Sequence, residues 1–259
     1  IRPMDSSTVE IGNLPILVEL GYANFEMDNR AAINFEVGET AAWDRLNHYF
    51  WQTENLAQSK YTRNGLIGAD YSSKFSAWLA LGCISPVSIY HEVKKFESDI
   101  KKNSSTYWLV FELIWRDFFR FIALKHGNRL FKVTGIKERE TSYREHRVSF
   151  DRWCDGATGV DFVDANMLEL KLTGFMSNRG RQNVASFLVN DLNINWTWGA
   201  AYFESKLIDY DPCSNWGNWN YVAGVGNDPR EDRYFNIKSQ AERYDPKGEY
   251  VDLWLGEIT

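Results

Sequence analysis

The sequence has few of the residues that bind metals or form disulfides. Its 259 residues include three cysteines and four histidines. Cys83, Cys154 and Cys213 form no Cys-x-x-Cys pair, and the histidines form no His-Glu-x-x-His motif. We therefore expect neither a metal site nor a disulfide framework, and the composition favours a reducing compartment.

Positive charge and long apolar runs are also scarce. The 29 Lys and Arg residues are outnumbered by 35 Asp and Glu residues, which gives a formal net charge of −6. Proteins that hold nucleic acid by bulk electrostatics need a basic surface, so any contact of this chain with nucleic acid must be local. Charged residues interrupt the apolar runs before they reach the length of a membrane span, so no transmembrane helix is expected.

Aromatic residues, by contrast, make up 15% of the chain, with 11 Trp. Apolar residues recur at helical spacing through most of the sequence, and no segment alternates with the period of a strand. This pattern predicts an all-α fold. Residues 1–34 mix Pro and Gly with short apolar pieces and predict a linker or a wrapping arm. Because the chain begins with Ile and shows no signal or transit peptide, we expect a processed or trimmed fragment.

The segment Asp209–Arg230 is too polar for a core and too aromatic for a linker. Turn residues hold the backbone in a defined shape, so such a segment can present acceptors, an amide and flat rings to a ligand. We predict a rigid binding loop here, with a flavin as the ligand. The segment supplies carboxylates at Asp209 and Asp211, an amide at Asn215, and large aromatic rings at Trp216, Trp219 and Tyr221.

Two other segments have the composition of anion sites at helix starts. Ser72, Ser73 and Lys74 precede a helical run, where hydroxyls and backbone N–H groups can bind an anion. Ordinary N-capping is the alternative for these serines. Arg179 and Arg181 flank a glycine at the start of another predicted helix and suit an anionic ligand or a carboxylate partner. A solvated charge cluster is the alternative for this second segment.

The most apolar segment begins at Ser104, ends near Gly127 and predicts a long helix. Its apolar residues lie on all sides, so we expect this helix in the middle of the fold. Glu112, Trp115 and Arg116 share one of its faces. They form either part of a binding site or an internal Glu112–Arg116 ion pair beside a core Trp.

Taken together and in this order, these segments resemble the FAD-binding helical domain of the photolyase and cryptochrome family, most closely plant-type members of its cryptochrome-DASH branch. The resemblance covers residues 35–259 and implies FAD as the cofactor. Family members normally also have an N-terminal α/β domain that seats an antenna chromophore. We expect this domain to be absent, and the antenna chromophore stays unassigned. The matching motifs are Thr62–Gly65, Asp70–Ser76, Ser105–Arg116, Thr173–Gln182 and Asp209–Arg230.

The resemblance implies roles for the residues of the cofactor site. Arg181 and Asp209 would pair against the isoalloxazine ring of the flavin. Asn215 is expected at the flavin N5, because a side-chain amide can donate or accept a hydrogen bond as the flavin changes protonation state. A pyrophosphate cradle is expected at residues 72–76. The full set of expected FAD-binding residues is Ser72, Ser73, Lys74, Phe75, Ser76, Arg116, Arg181, Asp209, Asp211 and Asn215.

The resemblance also implies a cavity for a flipped-out pyrimidine dimer, lined by Glu112, Trp115 and Tyr221. The expected catalytic residues are Glu112, Trp115 and Asn215. Gln182 and Tyr221 are of the DASH type and imply a preference for single strands, in which flipping a base costs little. The expected DNA-binding residues are Arg63, Glu112, Trp115, Asn178, Arg179, Gln182, Tyr221 and Gln240.

The sequence departs from the family pattern at two places. Ser59 stands where the family usually has Tyr, and Tyr61 is a candidate substitute for the missing ring. The electron-transfer chain implied by the resemblance consists of Trp219, Trp196 and an outer Trp, but the outer position here is Tyr143. The pocket residues are therefore complete, whereas the outer end of the electron route differs.

The resulting hypothesis is a blue-light-driven FAD flavoprotein, a photolyase-like lyase that repairs cyclobutane pyrimidine dimers in single-stranded DNA by electron transfer from reduced flavin. The alternative is a blue-light or redox sensor, or a structural subunit of a larger assembly, without repair activity. The retained Glu112 and Trp115 favour the enzyme, and the negative net charge favours the alternative. Single-stranded DNA is the expected partner, and protein partners stay open. Resemblance to plant-type members implies a chloroplast or mitochondrion, with the nucleus or cytoplasm as the alternative.

Overall fold

The computed structural model describes residues 13, 15–23, 26–228 and 234–256. This part of the chain is helical, as predicted, and its one strand-like pairing is an isolated parallel bridge between Arg144 and Ile194. The α-helices are α1 (Gly38–Asn47), α2 (Ser59–Thr62), α3 (Ser76–Ala80), α4 (Pro86–Asp99), α5 (Ser104–His126), α6 (Arg147–Asp155), α7 (Asp161–Thr173), α8 (Asn178–Ser186), α9 (Trp196–Lys206), α10 (Pro212–Val222), α11 (Ile237–Tyr244) and α12 (Glu249–Leu255).

Parts of two predicted segments lie outside the described residues. These are residues 1–12, 14 and 24–25 of the predicted arm, and residues 229–230 of the predicted binding loop. The described end of the arm contacts helix α12, because Arg30 Cζ lies 4.6 Å from the centre of the Trp254 ring. The boundary at residue 35 stays a prediction.

The buried side chains form two hydrophobic clusters. The first cluster takes its residues from α1, α3, α4 and the first half of α5. The second cluster is built from α6 to α10 together with α12. Leu109 and Leu113 of α5 belong to the first cluster, whereas Ile122 and Ala123 of the same helix pack against the second. Helix α5 therefore joins the two halves of the described chain.

Helix α5 is bounded by the signals that its sequence contains. The Asn103 side chain accepts hydrogen bonds from the backbone N–H groups of Ser105 and Thr106, and the Thr106 hydroxyl accepts one from the Asn103 N–H. This capping box satisfies backbone donors that the first turn of a helix leaves unpaired. At the other end, Gly127 adopts a positive φ of 54° that stops the helix.

Helix α5 contacts both clusters, but the apolar residues on one of its sides are exposed, so it is not enclosed as a helix in the middle of the fold would be. Tyr107, Ile114, Phe121 and Leu124 are 61%, 56%, 68% and 80% exposed. Each cluster covers a different stripe of the helix, and the remaining side faces solvent. Composition alone does not reveal this, because an apolar residue contributes equally to the pattern on a covered and an uncovered face.

The predicted binding loop between residues 209 and 230 is also wrong in its backbone, because its central part forms helix α10. Asp211 caps this helix by accepting a hydrogen bond of 2.8 Å from the Ser214 N–H, and Pro212 follows in the first turn. A capping Asp before Pro is a favourable helix start. Gly217 then lets α10 approach α5, since a Cβ at this position would overlap the Phe119 ring.

A buried polar cluster joins α7 to α12. The Tyr250 hydroxyl lies 2.6 Å from Glu169 Oε2 and 3.2 Å from Asn166 Oδ1. All three side chains are buried. Burial raises the pKa of Glu169 to about 7, although the hydrogen bond from Tyr250 and the charges of Lys74 and Arg181 act in the opposite direction.

The raised pKa of Glu169 makes stability depend on pH. The folded carboxyl keeps a proton that the unfolded carboxyl releases, so its contribution to stability is present below about pH 4.5 and is lost as pH rises through about 7. We expect the melting temperature of the parent to fall over this range relative to that of Glu169→Gln, by the equivalent of on the order of 1–3 kcal/mol. Glu249→Gln, at an exposed site of α12, is the control. If the melting temperatures of the parent and of Glu169→Gln changed equally with pH, this assignment would be contradicted.

Candidate functional site

A cavity of about 520 Å³ lies where the two clusters meet, and residues of both contribute to its walls. Helix α5 supplies one wall, and the segment before α3, the start of α8 and the start of α10 supply the others. Most of the predicted site residues line this cavity. They are Arg63, Ser72, Ser73, Lys74, Phe75, Ser76, Glu112, Trp115, Arg116, Asn178, Arg181, Gln182, Asp209, Asp211 and Tyr221.

One end of the cavity is formed by the segment that contains the two serines. Arg45 of α1 holds this segment in place. Its guanidinium donates to the carbonyl oxygens of Ala69, Ser72 and Ser73 at 3.0, 2.9 and 3.0 Å, and to Asp70 Oδ1 at 2.8 Å. Burial favours the neutral form of Asp70, but hydrogen bonds from Arg45 and His48 outweigh it and lower the pKa of this carboxyl.

Arg45 was not predicted as a site residue. A signal was present, because Ala42, Leu46 and Tyr49 place position 45 on the apolar side of α1, and a cation on such a face must have internal partners. The partners themselves lie 24 to 28 residues away in the chain. Sequence spacing could not identify them.

The N-capping alternative for the serines is not supported. The residue at the N-cap of α3 is Phe75, and no side chain caps that helix. Lys74, next to it, adopts a positive φ of 57° and is 4% exposed. Its ammonium lies 3.1 Å from the centre of the Tyr71 ring. Burial lowers the pKa of Lys74 to about 6, so an anion bound beside it would favour the charged form.

Arg181 has a carboxylate partner rather than a solvated position. Its guanidinium donates to Asp209 Oδ2 at 2.8 Å and to the carbonyl oxygen of Met176 at 2.9 Å. The Asp209 side chain is 2% exposed. The buried Asp209 carboxylate is thus paired with a guanidinium that is 25% exposed, and a carboxylate buried in this way requires good geometry and additional hydrogen bonds.

The predicted catalytic carboxylate, Glu112, pairs with Arg63 rather than with Arg116. Arg63 donates to Glu112 Oε1, and the same oxygen accepts a hydrogen bond of 2.9 Å from Trp108 Nε1. Arg116 instead donates to the carbonyl oxygen of Leu79 at 3.1 Å. The alternative of an internal Glu112–Arg116 pair is therefore wrong, and Trp108, one turn before Glu112, is a cavity residue that was not predicted.

Aromatic rings and polar side chains face each other across the cavity mouth. The rings of Trp115 and Tyr221 are 6.5 Å apart and nearly perpendicular, at 78°. At the edge, Arg179 donates to Gln182 Oε1 at 3.0 Å and to Asn64 Oδ1 at 3.1 Å. Gln240 Oε1 lies 3.5 Å from the same guanidinium. Arg179 and Gln240 are thus behind the lining residue Gln182.

Ser59 and Tyr61 are on different sides of α2. Ser59 lines the cavity and is buried, and its hydroxyl donates to the carbonyl oxygen of Ser105 at 3.2 Å. Tyr61 is 76% exposed and is not among the residues that line the cavity. Tyr61 therefore does not substitute for the ring that the family has in place of Ser59.

The remaining predicted residues lie behind the cavity wall. Asn215 is buried in α10 and donates to the carbonyl oxygen of Ala200 at 3.0 Å. Trp219, one turn later, packs against α9, where a Cβ at Gly199 would overlap its ring. Its ring contacts are with Trp153 at 6.3 Å and Phe203 at 5.2 Å.

Trp196 and Tyr143 are in the second cluster as well. Trp196 is fully buried, donates to the carbonyl oxygen of Val133 at 2.9 Å and contacts the Trp216 ring at 5.7 Å. Tyr143 is half-buried and lines a second, smaller pocket together with Glu140. Burial raises the pKa of the Tyr143 phenol.

Known proteins resemble this chain both in sequence and in fold. A family model described as the FAD binding domain of DNA photolyase matches residues 108–259. Cryptochrome DASH of Synechocystis sp. is 58% identical over 237 residues, which cover 92% of this chain and 48% of that protein. Cryptochrome DASH, chloroplastic/mitochondrial, of Arabidopsis thaliana is 53% identical over 247 residues, which cover 95% of this chain and 43% of the relative. The crystal structure of Synechocystis sp. PCC6803 cryptochrome matches with a TM-score of 0.91 at 55% identity, covering 97% of this chain and 52% of that chain.

The chain belongs to the photolyase and cryptochrome family. It contains the helical FAD-binding domain of that family, and FAD is its cofactor. The predicted fold, the cofactor and the resemblance to cryptochrome DASH, with plant members among the relatives, are confirmed. The chain spans about half the length of the curated relatives that it matches. None of the helices in the described ranges is both long and apolar enough to cross a bilayer.

The cavity has the unpaired polar groups that an FAD site requires. Five buried atoms in its wall have no hydrogen-bond partner among the described residues: the Tyr49 and Tyr71 hydroxyls, Lys74 Nζ, Arg116 Nη1 and Asp209 Oδ1. Buried polar groups of folded proteins are normally paired. Two basic groups, two hydroxyls and a carboxylate oxygen suit a ligand that combines phosphates with a polar heterocycle. The residues present therefore fit the cofactor.

The role of Arg45 is tested by Arg45→Lys. A lysine ammonium cannot supply the planar fork of donors that contacts three carbonyl oxygens and Asp70, so buried acceptors lose partners. We expect a loss of about 2–4 kcal/mol of unfolding free energy in urea, and weaker FAD binding. Arg129→Lys is the control, because Arg129 and Glu138 form an exposed pair, which contributes at most about 1 kcal/mol. Equal unfolding midpoints for the two variants would contradict this role.

Proposed function

We propose that this protein uses blue light and reduced FAD to split cyclobutane pyrimidine dimers in single-stranded DNA. Bound FAD would supply the light absorption and the electron that opens the dimer. The observation that carries the proposal is the composition of the cavity. Its inner wall contains buried charged groups that suit a cofactor, and its mouth has two aromatic rings and a carboxylate that suit two joined bases.

We assign the inner wall to the cofactor. Residues 72–76 and Lys74 in particular would bind the pyrophosphate, supported by the low pKa of the buried lysine, which a phosphate would raise. Arg181 and Asp209 would hold the isoalloxazine ring, with Arg116 and Asp211 at its polar edges. Asn215 would have to rotate its amide away from Ala200 in order to meet the flavin N5.

We assign the mouth of the cavity to the substrate. Trp115 and Tyr221 would stack against the flipped bases, and the nearly perpendicular rings provide two walls for two bases that are covalently joined. Glu112 would accept hydrogen bonds from the base edges. Arg63 and Trp108 donate hydrogen bonds to this carboxylate and hold it at the mouth. The carboxylate is therefore in position before a ligand binds.

The preference for single strands follows from the charge distribution. With a net charge of −6, the chain has little general attraction for the phosphates of a duplex. Its cations near the mouth are local ones, Arg63 and Arg179, and we assign them with Asn178, Gln182 and Gln240 to the strand backbone. A single strand also exposes the dimer without the cost of opening a base-paired helix.

We assign electron supply to Trp219, Trp196 and Tyr143, in this order from the cavity outward. Trp219 packs against α9, the helix that begins with Trp196. Both rings are buried, and each contacts a further aromatic ring: Trp219 contacts Phe203, and Trp196 contacts Trp216. Tyr143, at a pocket shared with Glu140, would be the outer end. We assign Glu140, a carboxylate in the lining of that pocket, as the acceptor of the phenolic proton.

The proposal also covers the domain organisation of the chain and its cellular compartment. We propose that residues 1–34 form a wrapping arm and residues 35–259 one FAD-binding unit. Plant relatives carry the description chloroplastic/mitochondrial, which supports an organelle as the location. Single-stranded DNA is the proposed partner.

Light-driven repair of a thymine dimer in a single-stranded oligonucleotide tests this function. With the flavin chemically reduced beforehand, Trp115→Ala should weaken dimer binding by about 1–3 kcal/mol, because a stacking wall is lost. Glu112→Gln should slow repair at least about tenfold while FAD stays bound, because the carboxylate acceptor is lost.

The control for this experiment is Asp117→Asn, an exposed carboxylate on the same helix, which should repair at the parental rate. Equal repair of single-stranded and duplex substrates would contradict the proposed preference. Absence of repair with FAD bound would contradict the enzyme assignment and favour a sensor.

A further inference from the structure

We propose that Tyr107, Trp108 and Lys60 form a second nucleotide-stacking site, at the edge of the cavity, which binds the base next to the lesion in a single strand. The inference rests on the proposed function for the identity of the strand. None of these three side chains is among the residues assigned to FAD, to the dimer or to the strand backbone.

The first observation is an exposed pair of rings beside the cavity mouth. Tyr107 and Phe111 are stacked, with ring centres 6.2 Å apart and an angle of 26°. Phe111 lines the cavity, whereas the Tyr107 side chain is 61% exposed. The stack therefore leads from the cavity wall to the surface, and a base that leaves the mouth meets an exposed aromatic ring. Base stacking on such rings does not depend on sequence.

The second observation is the placement of cations around the adjacent indole. Lys60 Nζ lies 5.1 Å and Arg63 Cζ 5.3 Å from the centre of the Trp108 ring. The indole is also fixed by its hydrogen bond to Glu112. Cations placed between aromatic rings can bind the phosphates of a single strand while the rings stack against its bases. Such a pair of cations is notable in a chain whose net charge is −6.

The third observation is that the patch is held rigidly. The Ser59 hydroxyl donates to the carbonyl oxygen of Ser105, and the Lys60 N–H donates to the Ser105 hydroxyl at 3.3 Å. These bonds fix α2 against the first turn of α5. Lys60 and Trp108 are thus positioned before any ligand arrives, which reduces the entropy lost on binding.

The occupant is the strand itself rather than another protein. Arg63, Trp108, Phe111 and Glu112 belong both to the cavity lining and to the patch or its contacts, so the two sites are continuous. A flipped dimer in the cavity would leave its neighbouring nucleotide at the mouth, within reach of the exposed Tyr107 ring. The cations and rings of the patch would also favour a ligand that is both anionic and aromatic, as a nucleic-acid strand is.

The test is the affinity of the FAD-loaded protein for an undamaged oligothymidylate of about ten nucleotides, measured by fluorescence anisotropy in the dark. Tyr107→Ala should weaken binding at least about fivefold, and Tyr107→Trp should retain it, because base stacking is lost in the first variant and kept in the second. Phe121→Ala is the matched control. Phe121 is an equally exposed ring, at 68%, on the same side of α5 about four turns further on. It should change the affinity less than twofold.

A second readout separates this site from the catalytic cavity. Tyr107→Ala should raise the KM for a dimer within an oligonucleotide, but not the KM for an isolated dinucleotide dimer, which has no flanking base. The inference is overturned if Tyr107→Ala binds the oligothymidylate like the parent, if Phe121→Ala weakens binding equally, or if the parent binds no single strand. Because the dark binding assay requires no repair, loss of repair alone would overturn the proposed function and leave this site intact.

Discussion

A buried polar atom without a hydrogen-bond partner costs about 1–3 kcal/mol, and this cost constrains the whole cavity. Asp209 Oδ1, Arg116 Nη1, Lys74 Nζ and the Tyr71 hydroxyl are all buried in its wall and unpaired among the described residues. The surrounding structure holds them there by other bonds, such as those from Arg181 to Asp209 and from Arg116 to Leu79. The fold therefore bears a cost that a ligand with complementary groups removes, and FAD has such groups.

Helix α5 connects this constraint to the proposed chemistry. Its first half packs on one cluster and its second half on the other, so the cavity between the clusters has α5 as a rigid wall. Arg116, Glu112 and Trp115 all line the cavity from this wall, and we assign Arg116 to the cofactor and the other two to the substrate. A single rigid helix would thus fix the distance between the proposed cofactor site and the proposed substrate site. The same helix continues outward to Tyr107, where the flanking strand would bind.

The sequence was sufficient for the all-α fold, the family and half of the cavity lining, because these depend on local pattern and on motifs in a fixed order. It was not sufficient where partners are distant in the chain. Glu112 pairs with Arg63 across 49 residues, and Arg45 contacts carbonyl oxygens that have no sequence signature. Helix α10 was predicted as a loop although Asp211 and Pro212 form a helix start. The exposed side of α5 depends on how the clusters are arranged, which composition does not encode.

The central claim is that the unpaired groups of the cavity are the FAD site, and thermal unfolding of the apo-protein with and without FAD tests it most directly. A ligand that binds only the native state, present at a free concentration of about 100 times its Kd, stabilises that state by about 2.7 kcal/mol. For a protein of this size we expect the melting temperature to rise by about 5–10 °C. Asp209→Asn should reduce this rise, because it removes the anion that is paired with Arg181. A melting temperature that FAD leaves unchanged would contradict the account.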